Sequence, residues 1–106
     1  MVADRFAVYL VPLDPTTGSE VAKTRPCVVV SPDVMNHLVQ TVIVAPLTST
    51  IRHFPYRVIC KFAGKQGQIA LDHIRSIDKS RLAKRLGNLD APTAARVSAT
   101  LVEMFR

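Results

Sequence analysis

Arg25 offers a planar guanidinium fork that fits phosphate oxygens, and it stands five positions after the carboxylate of Glu20. Glu20 can aim that guanidinium through a carboxylate–guanidinium pair, or accept a proton where burial raises its pKa. Read without context, a loop carboxylate can equally sit solvated, and an arginine can be an ordinary surface cation. Thr48 and Ser49 place two hydroxyls side by side. Each can donate to a phosphoryl oxygen, or close a local turn by bonding to the backbone. His53 follows in the same stretch and can stack on or hydrogen-bond a nucleobase, with the rings of Phe54 and Tyr56 close behind it. Asp72 stands beside His73, and Arg75 with Asp78 reads as a structural pair rather than as chemistry. Cys27 and Cys60 are too few and too far apart for a zinc site, so both read as buried, reduced thiols.

These side chains need elements to hold them. Residues 6–13 are rich in β-formers and end in the turn chemistry of Asp14, Pro15 and Gly18. Residues 19–25 are polar and non-periodic, which predicts a loop. Residues 26–30 and 41–45 are short β-branched runs, read as buried strands, with a single helical turn opening near Asp33 between them. Residues 47–55 read as a loop and 56–62 as a half-buried strand. A turn is expected over 64–67, followed by an apolar run from Gln68 to Leu71. Residues 73–77 alternate as a strand, with Ile74 and Ile77 contending for the core, and 81–89 are ambiguous between helix and strand. Asp90 is a good N-cap for a terminal helix with Pro92 in its first turn. The apolar stripe of that helix, Ala94, Val97, Leu101, Met104 and Phe105, predicts packing on a sheet. Several short strands followed by one late helix describe a mainly β, α+β fold: a small barrel with a C-terminal helix packed against it.

With 106 residues the chain is expected to form one domain spanning 1–106. Apolar residues make up 48% and charged residues 21%, which excludes the composition of a disordered tail. The longest apolar stretch, 6–13, is eight residues and contains Pro12, so no membrane span and no membrane partner are expected. The acidic start at Asp4 argues against a secretory signal, and a cytoplasmic location is expected. Lys and Arg total 14 against 8 Asp and Glu, a formal charge of +6. That surplus attracts phosphate backbones or acidic proteins.

The stretch from Asp14 through Gly18, Ser19, Glu20 and Arg25 to Pro26 closely resembles the signature loop of the MazF/PemK (Kid) family of toxin endoribonucleases. Four further segments agree in order and spacing: 27–32, 43–49, 71–78 and 79–82. The resemblance implies an SH3-like barrel of the CcdB/PemK type, a homodimer, and sequence-specific cleavage of single-stranded RNA without metal or cofactor. The implied reaction is attack of the ribose 2′-oxygen on the adjacent phosphorus, leaving a 2′,3′-cyclic phosphate and a 5′-hydroxyl. Such chemistry needs a proton acceptor, a proton donor and neutralisation of the charging phosphoryl oxygens. The resemblance assigns catalytic positions to Arg25, Thr48 and Glu20. Ser19, Ser49, His53 and Asp72 are the expected substrate contacts.

Two positions depart from the pattern. One branch of the family uses the acid at Asp72 as a general base, with an arginine two residues earlier and a histidine before the motif glutamate. Ala70 and Ser19 stand there instead. The departure shifts the weight to an Arg25–Thr48 site, with Asp72 as support or RNA contact. The second departure is Phe6-Ala7, where most relatives begin the first strand with Gly-Asp. The implied partner besides RNA is a cognate antitoxin, whose acidic, partly disordered tail would suit a basic surface. Two other classes share the fold. A CcdB-type gyrase poison resembles a chain with a tryptophan-containing tail, whereas this one has no tryptophan and ends Met104-Phe105-Arg106. A non-catalytic nucleic-acid-binding barrel would have no need of Glu20, Arg25 and Thr48.

Overall fold

A computed structural model describes residues 3–13 and 23–106. Its strands are β1 (Ala7–Pro12), β2 (Thr24–Val29), β3 (Thr41–Thr48), β4 (Arg57–Phe62), β5 (Lys65–Ala70), β6 (Arg75–Asp78) and β7 (Lys84–Asn88). Helix α1 (Asp33–Leu38) lies between β2 and β3, and α2 (Ala91–Met104) ends the chain. The seven strands form one antiparallel sheet ordered β4-β5-β3-β2-β1-β7, with β6 also paired to β3. Among the described residues no helix is long and apolar enough to cross a membrane.

Both faces of the central strands are buried. Ala7, Tyr9 and Val11 of β1 join Cys27, Val29 and Val44 in one core, while Val8, Val28 and Ala45 join Val58, Ile69 and Val97 in the other. This two-sided burial explains why the central strands read as continuous aliphatic runs rather than as alternating ones. β3 carries the curl of the sheet. Its first half pairs with β6 through Val44↔Arg75, and its end pairs with β5 through Leu47↔Ile69. Pro46 falls between these two pairings, where β3 passes from one neighbour to the next. The edges approach through side chains: a Cβ on Gly87 of β7 would meet the Phe62 ring of β4 at 3.6 Å.

Helix α2 starts as its sequence predicts. Asp90 accepts a bond from the Thr93 amide at 2.8 Å, and Val97, Leu101 and Met104 pack against the second core. Phe105, expected in that stripe, is exposed, because the helix ends at Met104 and Phe105 is its C-cap.

Other boundaries move for physical reasons. Thr24 and Arg25 belong to β2 rather than to a loop, since their main chain pairs with Pro12 and Val11. Leu47 and Thr48 end β3 rather than opening a loop. The expected turn at 64–67 is only Ala63-Gly64, both with positive φ (51° and 79°), which suits a tight hairpin joining β4 to β5. Leu71–His73 is a 3₁₀ turn ahead of β6, and the ambiguous 81–89 segment resolves as β7. Arg75 and Asp78 are structural without pairing to each other. Arg75 donates to the Leu13 carbonyl at 3.3 Å, and Asp78 accepts from the Ser80 amide at 2.8 Å.

Candidate active site

The β2–β3 register brings the two central candidates together. Its last pair is Cys27↔Pro46, so Arg25 and Thr48 lie two residues beyond it on neighbouring strands. Arg25, Thr48 and Ser49 line a single cleft of about 420 Å³, with Phe62, Lys65 and Gly67 on its other wall. The Thr48 side chain is nearly buried, and its Oγ accepts from the Thr50 amide at 3.2 Å. That bond engages an acceptor lone pair and leaves the hydroxyl proton to be donated. Ser49 is exposed beside it. Arg25 and Lys65 give the cleft two cationic side chains, the arrangement expected around a phosphate.

Backbone geometry permits this closeness. A Cβ on Gly67 would lie 2.6 Å from the Thr48 carbonyl oxygen, so only glycine lets β5 run this close to the end of β3.

Asp72 belongs to a second cluster. Its carboxylate takes two bonds from Arg57, from Nε at 2.5 Å and from Nη2 at 3.0 Å, with His73 Nε2 at 3.6 Å. The Arg57 hydrogen bond holds the Asp72 carboxyl below its ordinary range, against a weaker upward push from burial. Such an anion suits support better than proton abstraction. Arg57 stands directly across from Ala70 in the β4–β5 register, and so reaches Asp72 from the neighbouring strand. Its guanidinium also donates to Gln68 Oε1 at 3.3 Å and lies 5.2 Å from the centre of the Phe54 ring.

The structure thus places Arg25, Thr48 and Ser49 on one cleft, and pairs Asp72 with Arg57, which also donates to Gln68. His53 is exposed in the 49–56 loop, and Phe54 and Tyr56 are exposed with it. Ser19 and Glu20 lie outside the described residues. Sequence reasoning missed Lys65 and Phe62 in the cleft, as well as Arg57 and Gln68. Only the cross-strand register could have found them, because none is near Arg25 or Thr48 along the chain. Both cysteines are buried, and burial pushes the Cys27 thiol up to about 12 and raises that of Cys60. A thiol raised in this way is the poorer nucleophile.

Residues 4–105 match the family described as PemK-like, MazF-like toxin of type II toxin–antitoxin systems. The endoribonuclease EndoA of Bacillus subtilis (strain 168) is 32% identical over 107 residues, covering 95% of this chain and 92% of its own. The crystal structure of MazF (form I) from Deinococcus radiodurans has a TM-score of 0.84 at 29% identity, over 99% of this chain and 97% of its own. A MazE–MazF complex (form II) from the same organism gives a TM-score of 0.78 at 26% identity, over 99% of this chain and 96% of its own.

Proposed function

Because the chain belongs to the PemK-like, MazF-like toxins of type II toxin–antitoxin systems, we propose that it is an endoribonuclease that cuts single-stranded RNA in the Arg25–Thr48 cleft. The observation that carries this reading is the convergence of Arg25, Thr48, Ser49 and Lys65 on one cleft. The ribose 2′-oxygen attacks the adjacent phosphorus, its proton passes to an acceptor, and the bond to the 5′-oxygen breaks as that oxygen gains a proton. Arg25 neutralises the charge that builds on the phosphoryl oxygens, and the Thr48 hydroxyl donates to one of them. The part of Arg25 is electrostatic, a planar guanidinium fork presented to the phosphoryl oxygens. Glu20, in the signature stretch, is the candidate acceptor, with Ser19 and Ser49 as substrate contacts. None of these steps calls on a metal.

The protein works as a cytoplasmic homodimer of single-domain chains, held inactive by an acidic antitoxin. The exposed apolar side chains Val34, Leu38, Val102 and Phe105 supply surface for such contacts. The antitoxin reading is supported by the relative that was solved as a MazE–MazF complex.

The test is a long RNA incubated with the purified protein in chelator, followed by sequencing of the cut ends. Discrete sites ending in cyclic phosphate and 5′-hydroxyl are expected. A single 2′-deoxy substitution at a mapped site should abolish cutting there while binding persists. Equal cutting of the deoxy substrate would contradict 2′-oxygen attack.

A further inference from the structure

Gln68 is the most deeply buried polar side chain near the cleft, 2% exposed, and lies opposite Thr48 in the β3–β5 register. Its amide is spent on the main chain of one residue across the loop. Oε1 accepts from the Arg52 amide at 3.0 Å, and Nε2 donates to the Arg52 carbonyl at 2.7 Å. The side chain therefore acts as a strand neighbour for a loop that has none of its own. A second tie lies nearby. Arg57, its side chain only 7% exposed, is clamped by Asp72, donates to Gln68 Oε1 and sits against the Phe54 ring. Between the ties, His53 stays exposed.

We propose that Gln68, braced by the Arg57–Asp72 pair, is a positioning residue that holds the 49–56 loop in the form that receives RNA. This role rests on the ribonuclease reading above and adds to it the part that sets substrate affinity. An unclamped loop would populate its receptive form only part of the time, and bound RNA would have to select that form. The apparent affinity then falls by the fraction lost, whereas the saturated complex has the loop docked and reacts as before. A merely structural role predicts the opposite, a smaller active fraction that lowers kcat and leaves KM alone.

The measurement is steady-state cleavage of an RNA oligonucleotide carrying one mapped site, by wild type and Gln68→Met. Methionine keeps the length and drops both amide bonds. KM is expected to rise about tenfold with kcat within about twofold, and hydrogen exchange at the Arg52 amide to accelerate. Unchanged KM with faster exchange would overturn the proposal, as would unchanged exchange or a fall in kcat alone. Should the methionine variant fail to fold, Gln68→Glu keeps the acceptor for Arg52 and Arg57, and a smaller KM rise of the same kind is required. A wild-type protein that cuts no RNA would overturn the functional reading, and this role with it. A cutting wild type with an indifferent Gln68 variant would overturn this role alone.

Discussion

At the scale of single residues, two bonds from Arg57 engage both oxygens of Asp72 and keep it ionised. The folded pKa lies below the ordinary 3.8. The stabilisation is therefore fully present above that value and lost as pH falls through the lower folded pKa. Asp72→Asn should accordingly be less stable than wild type at neutral pH, and the gap should close in acid. Urea melts from about pH 6 down to about pH 2 would show it; a gap constant across that range would mean the pair contributes nothing through its charge. Asp72 also marks how far the residues could be read from sequence. Ala70 and Ser19 stand where one family branch carries the partners of a general base at this position, and a carboxylate held ionised by Arg57 is a weak base. The Arg57 partner was hidden, because Arg57 meets Asp72 only through the β4–β5 pairing.

Elements were legible where packing follows composition. The runs around Val28 and Val44 are buried on both faces, and α2 announces itself through Asp90, Pro92 and a helical stripe. The segment Lys84 to Asn88 hid its strand because Leu86 is its only large apolar residue, and its order comes from pairing with β1. The β4–β5 turn was blurred because Ala63 occupies a left-handed position that usually signals glycine or asparagine. Gly67 carries the sharpest requirement, since Gly67→Ala puts a Cβ 2.6 Å from the Thr48 carbonyl. The backbone must give way there, at about 1–3 kcal/mol. The variant should melt lower than wild type and cut RNA more slowly, because Thr48 is displaced. A thermal melt and a cleavage rate both equal to wild type would show that β5 does not hold Thr48 in place.

The whole molecule carries a formal +6, and its cleft holds Arg25 and Lys65. RNA affinity should fall linearly against salt on logarithmic axes, with a slope of about −0.7 for each phosphate contacted. A flat response would show that base stacking holds the RNA, and with tight antitoxin binding beside it would assign the charge to the protein partner. Composition foretold this basic body, and the order of five short segments foretold its fold. The cleft itself awaited the sheet, since Arg25 and Thr48 come to line one cavity only once β2 and β3 pair. The most direct test of that meeting is single-turnover cleavage by Arg25→Ala, with RNA affinity measured alongside. Loss of one preorganised donor aimed at the reacting phosphate predicts a fall of at least about 100-fold in rate. Affinity should drop far less, because Lys65 and the other basic residues still meet ground-state phosphates. A folded Arg25→Ala protein that cuts at the wild-type rate would contradict the assignment of this cleft as the active site.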